Sequence, residues 1–123
     1  MTQENKELLI KDLCARLPYG VWIERKLKSC KFGAKCMLHA HDIDAIERGQ
    51  YDFYKPYLFP LSSMTEEQKR EFDISMDMGY AAAYNAEINC ANRMIDFFNK
   101  YHLDYRGLIP MGLAIDATGL NIY

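Results

Sequence analysis

From Phe72 to Phe98 an apolar side chain recurs every three or four residues: Phe72, Met76, Tyr80, Tyr84, Ile88, Ala91, Ile95 and Phe98. That spacing is one face of an α-helix. It starts inside a capping box formed by Thr65 and Gln68, a standard helix-opening signal. An unbroken helix over residues 65–101 would be about 55 Å long at 1.5 Å per residue. A compact fold of this chain length has a diameter of about 30 Å. Two solutions exist: a long helix that projects and finds a second copy, or a helix pair broken near Gly79. Glycine costs only about 1 kcal/mol in a helix interior, and the neighbouring Ala81, Ala82 and Ala83 are strong helix formers. No polar loop interrupts the pattern. The preferred reading is therefore one long or mildly kinked helix, with Phe72, Met76, Tyr80, Tyr84 and Ile88 as the interface of a homo-oligomer.

The rest of the chain is of mixed type. Leu8, Leu9, Leu13, Cys14 and Leu17 form an apolar helical stripe, with Glu4, Lys6, Lys11 and Asp12 placed on the solvent side. Pro18 and Gly20 stop that helix. Val21–Lys28 alternates and is β-prone. With Cys36–His41 it forms a β-hairpin across a loop near Gly33. Asp42 is placed to cap a short helix that Gly49 ends. Tyr51–Leu61 carries five aromatic rings and two prolines, which excludes a helix interior or a central strand and leaves an extended segment on the core. Gly112–Ile115 reads as a short strand, and Thr118–Tyr123 as a loop. The fold class is α+β in a single domain over residues 1–123: an N-terminal helix, a small β-hairpin, a long C-terminal helix or helix pair, and a short terminal strand.

With 50% hydrophobic and 26% charged residues the chain buries a core and is not disordered. The formal net charge of −2 argues against a protein held mainly by nucleic-acid phosphates. A membrane span needs an apolar run of about 18 residues, and none is present. Met1–Lys6 is polar, without the basic and then apolar regions of a secretion signal, so an intracellular setting with reduced cysteines is expected. Cys14 and Cys90 fall on apolar stripes, where cysteine behaves as a small buried hydrophobe.

Cys30, Cys36, His39 and His41 invite a zinc reading. On a strand, however, Cys36 points away from His39 and His41, so no metal is expected. Neither a phosphate-binding glycine loop nor a nucleophile elbow appears. No catalytic residue and no cofactor follow, and the protein is read as a non-enzyme. Arg25, Lys26, Lys28, Lys31 and Lys35 crowd the hairpin beside Trp22 and Phe32, the ingredients of a nucleic-acid surface. The acidic balance of the whole chain makes that the weaker alternative. Arg16 with Tyr19, and Asp104-Tyr105-Arg106, are polar clusters in apolar surroundings. They fit either a phosphate or nucleobase pocket or a salt bridge, Arg16 to Asp104 or Asp12 to Arg106, and the salt bridge is preferred.

Three blocks then carry a resemblance: Lys11–Val21 (KDLCARLPYGV), Lys55–Glu67 (KPYLFPLSSMTEE) and His102–Ile109 (HLDYRGLI). The chain resembles a family of small phage- and prophage-associated proteins of gut Bacteroidales-type bacteria. It departs from that family at Phe59, where a basic residue is common, and in the alanine-rich stretch after Gly79. The resemblance implies a mobile-element origin and brings no catalytic residues with it. It implies a non-enzymatic binding protein in the cytoplasm of the host bacterial cell, modulating a host process or defence. The partner is then a host protein or a nucleotide-like signal molecule, with Arg16, Tyr19, Tyr105 and Arg106 as its contacts. RNA or DNA binding through the hairpin and a ligand-free assembly role stand as alternatives.

Overall fold

A computed structural model describes residues 2–81 and 85–123. Helix α1, Gln3–Arg16, opens at Thr2, whose hydroxyl accepts the Asn5 N–H at 3.1 Å. It closes where Pro18 leads a 3-10 turn over Leu17–Tyr19. Strands β1 (Trp22–Leu27) and β2 (Ala34–Met37) form the expected antiparallel hairpin, with Ile23 opposite Cys36. The second strand is shorter than expected, because His39 already precedes helix α2, Ala40–Glu47. Asp42 sits one turn inside α2 and accepts the His39 N–H at 2.8 Å, so it caps the helix from within.

Strand β3, Tyr51–Leu58, pairs antiparallel with β1, and β4 (Ile115–Asp116) runs parallel to its end, giving the order β2-β1-β3-β4. This corrects the expectation that proline bars the Tyr51–Leu61 segment from an inner position. Pro56 lies within β3 opposite Ile23. Because β4 reaches only Tyr57 and Leu58, the rest of that β3 edge has no strand partner among the described residues, and a missing N–H is tolerated there. The core draws Leu9 and Leu13 from α1, Ile46 from α2, Ile23 and Leu58 from the sheet, and Leu108 from the segment before β4. The α+β fold class stands. No helix among the described residues is long and apolar enough to cross a membrane.

The long apolar stripe resolves in the way the sequence reading disfavoured. Thr65 and Gln68 make both bonds of the capping box, at 3.0 and 3.1 Å. Helix α3 then runs over Glu66–Ala81, and α4 over Ala86–Lys100. At 16 and 15 residues each is about 25 Å long, within the width of the fold. The two pack antiparallel. The Phe72 ring lies 5.4 Å from Phe97 and 5.9 Å from Phe98, and Lys100 Nζ donates to Glu71 Oε1 at 2.8 Å. Asn85, with φ of 54°, starts α4 in the left-handed conformation that asparagine adopts more readily than most residues.

Gly79 therefore does not end the helix. It is buried inside α3 at the seam, where a Cβ would lie 2.7 Å from Cys90 Sγ and 3.3 Å from Cys90 Cα. Its role is close approach of two helices. Helix propensity alone predicts that Gly79→Ala stabilises by about 1 kcal/mol. The seam predicts the reverse: urea denaturation should show a loss of about 1–3 kcal/mol, typical of overpacking, and Cys90→Ala in the same chain should recover most of it.

Candidate functional site

Three of the four residues proposed as ligand contacts, Arg16, Tyr105 and Arg106, gather around a buried carboxylate. Asp12 and Arg16 share one face of α1, four residues apart, and both side chains are fully buried. Arg16 Nε donates to Asp12 Oδ2 at 2.7 Å, and its Nη2 donates to Asp12 Oδ1 at 3.2 Å and to the Leu103 carbonyl at 2.7 Å. Arg106 Nε reaches the same Asp12 Oδ1 at 3.2 Å. Both guanidinium groups also lie over the Tyr105 ring, 5.1 and 5.0 Å from its centroid. Of the two bridges considered from sequence, Asp12–Arg106 is present. Arg16 pairs with Asp12 rather than Asp104, which instead accepts the Leu108 and Ile109 N–H groups at 2.8 and 2.9 Å. Placing Asp12 on the solvent side of α1 was wrong for the same reason. Cys14, expected inside, takes the exposed position.

Tyr19 stands at the edge of this cluster, and its hydroxyl donates to Asp96 Oδ1 at 2.9 Å, which raises its pKa. There it closes one end of a groove of about 270 Å³ along the α3–α4 seam. Glu71 and Ser75 line one wall; Arg93, Asp96, Phe97 and Lys100 line the other. The Glu71 carboxylate accepts from Lys100 and from the Tyr101 hydroxyl, and these bonds lower its pKa and raise that of Lys100. Arg93 forms no ion pair among the described residues.

The proposed interface residues divide. Phe72 packs on α4 of its own chain, and the Met76 carbonyl faces Cys90 Sγ at 3.6 Å. Tyr80 and Ile88 remain exposed, and Tyr84 lies outside the described residues. On the hairpin the cationic surplus is partly neutralised: Arg25 pairs with Asp42 and Lys26 with Asp52. Lys35 lies 5.6 Å over the Trp22 ring. The His39 and His41 rings stack 5.5 Å apart beside α2, while Cys30 sits exposed in the hairpin turn.

Two constellations were missed in the sequence. Arg25 Nη1 and the Tyr51 hydroxyl both donate to the buried Asp42 carboxylate. The tail residue Tyr123 stacks on His102 with centroids 3.6 Å apart, receives the Trp22 N–H at 2.9 Å and donates to the Tyr57 carbonyl at 2.8 Å. Neither follows a short sequence spacing. Burial, then the Arg16 charge, pushes the His102 pKa down to about 4. No protein-family model, curated protein or solved structure matches this chain.

Two outcomes follow from this geometry. Asp12→Asn leaves two guanidinium groups around a neutral amide, and breaking a buried pair in that way costs about 3–5 kcal/mol, read as a lower urea midpoint. His102 is neutral when folded and binds a proton near pH 6.5 when unfolded. Its contribution is thus fully present above that pH and is lost as pH falls towards about 4. Urea midpoints between pH 7.5 and 4.5 should fall more steeply for the native chain than for His102→Asn, whose side chain also suits the φ of 57° at that position.

Proposed function

We propose that this chain is a non-enzymatic binding protein of phage or mobile-element origin, acting in the cytoplasm of the bacterial host. In this reading it modulates a host process or host defence by binding a protein or a nucleotide-like signal molecule. One observation carries the protein-binding side. Ile74, Met78, Tyr80 and Ile88 on the α3–α4 hairpin are 60, 54, 65 and 60% exposed. Ile74 and Met78 lie four apart on α3, and Ile88 and Ile95 lie seven apart on α4, so each pair forms an apolar row on its helix. Rows of large exposed apolar side chains, where they join into a patch, mark interaction sites in proteins that stay in solution. The homo-oligomer belongs to the same proposal, now through the outer rows of a folded hairpin rather than along an extended helix.

The nucleic-acid alternative loses support from the pairing of Arg25 and Lys26. It retains Lys28, Lys31 and the Phe32 ring, which is 78% exposed. A small-molecule partner is favoured by the groove beside Tyr19, lined by Arg93, Asp96 and Lys100.

Sedimentation velocity at micromolar concentration separates these roles. The native chain should sediment as a dimer or larger. Ile88→Glu should weaken association at least tenfold, since burying one isoleucine contributes about 1.5–3 kcal/mol. A native chain that sediments as a monomer, and captures no host protein that Ile88→Glu releases, would remove the protein-contact reading.

A further inference from the structure

We propose that the α3–α4 hairpin of one copy receives the β1–β2 turn of a second copy, so that the chain self-associates head to tail. The proposal rests on the homo-oligomer reading and names what covers the outer side of α4. The Phe72–Phe98 stack fixes which residues of the two helices lie side by side. From it the ridge Phe72, Met76, Tyr80 runs along α3, and the ridge Phe98, Met94, Ala91 runs beside it along α4, each at the spacing of one helical face. The opposite side of the seam is the groove at Tyr19, where Arg93 and Lys100 balance Glu71 and Asp96. The two sides differ in kind.

On the ridge side Tyr80 is 65% exposed, and Ile95, one turn on from Ala91, is 43% exposed. Asp73 and Asp77 stand seven and three residues before Tyr80 and so flank it on α3, while Glu87 stands four residues before Ala91 on α4. All three carboxylates are exposed, and none forms an ion pair among the described residues. The nearest cations on α3 are Lys69, held by Glu66, and Arg70, which lies at the far end from Glu87. This face is apolar at its centre and negative at its rim.

The β1–β2 turn carries the complementary set. Residues 28–35 are exposed throughout, and Phe32, at 78%, is the most exposed large apolar side chain among the described residues. Lys28 and Lys31 precede it closely, and neither forms an ion pair among the described residues. An aromatic anchor beside cations matches an apolar face rimmed by carboxylates. The ring leaves water at the centre, and the charges meet at the margin, where they set orientation and salt dependence. Because the two surfaces differ, the contact is heterologous, and each copy offers one of each.

Sedimentation velocity of the full chain at micromolar concentration, in about 50 and about 500 mM sodium chloride, tests the contact. Native association should weaken at least tenfold in the higher salt. Lys31→Glu and Asp77→Lys should each weaken it at least tenfold in low salt, because each sets like charges against one another. Mixed in equal amounts, the two variants should associate again, since the native turn of the Asp77→Lys chain meets the native helices of the Lys31→Glu chain. A surface that pairs with its own counterpart gives no such rescue. Phe32→Ser should weaken association by a similar factor and reads the aromatic anchor apart from the charges. Every substituted side chain is exposed, and an unchanged urea midpoint checks that each variant folds. Association that Ile88→Glu abolishes but Phe32→Ser leaves unmoved, with no rescue in the mixture, overturns the head-to-tail contact and leaves the homo-oligomer reading standing. A native chain that is a monomer in low salt overturns both, and leaves the acidic face to a cationic partner protein.

Discussion

One carboxylate, shared between two arginines, ties the two ends of the chain together. Asp12 is fully buried and serves both Arg16, one turn along its own helix, and Arg106, far along the sequence. A buried ion pair is not in itself a large source of stability, because desolvation offsets much of the Coulomb gain. What it supplies here is placement. Arg16 also holds the Leu103 carbonyl, and the same segment bonds to Phe59 through the His102 carbonyl and the Asp104 N–H, each at 2.8 Å. The end of α1, the end of β3 and the turn after α4 are therefore fixed relative to one another by polar contacts within the core.

That junction sets where the helical hairpin sits. Phe98 stacks on Tyr105 at 5.5 Å and on Phe72 at 5.9 Å, so a line of rings runs from the arginine cluster into the α3–α4 seam. The C-terminal half of α4 is held against the body through the Phe98–Tyr105 stack and the bond from Tyr19 to Asp96. The N-terminal half of α4 meets α3 through the Gly79–Cys90 contact and leaves Ile88 outward. The groove at Tyr19 lies where these two regimes meet.

Local signals in the sequence translated well into structure. The Thr65–Gln68 box, the stop at Pro18 and Gly20 and the β1–β2 hairpin all rest on contacts between residues close in the chain. The readings that failed depend on partners far away. Asp12 looks like a solvent residue until Arg106 arrives, 94 positions later. Pro56 looks excluded from an inner strand until β4 proves too short to use its edge. Gly79 looks like the breaker in the stripe, yet α3 runs on past it to Ala81, α4 opens at a left-handed Asn85, and the glycine is needed for contact across the seam. Tyr123 carries no local pattern, since its role is to bridge β1 and β3. Arg16, Tyr105 and Arg106 gather at Asp12 while Tyr19 turns to Asp96, and the groove beside Tyr19 was not visible, because Arg93 and Ser75 belong to different helices whose pairing the apolar spacing left open.

The thiols give the hairpin a built-in clock. Cys14 and Cys30 are exposed, whereas Cys90 is covered by the backbone of Gly79. An alkylating reagent meets those two at once, the half-buried Cys36 more slowly, and Cys90 only when α3 swings away from α4. The rate at which Cys90 is modified thus follows how often the seam opens, and exceeds the rate of global unfolding wherever the helices part locally.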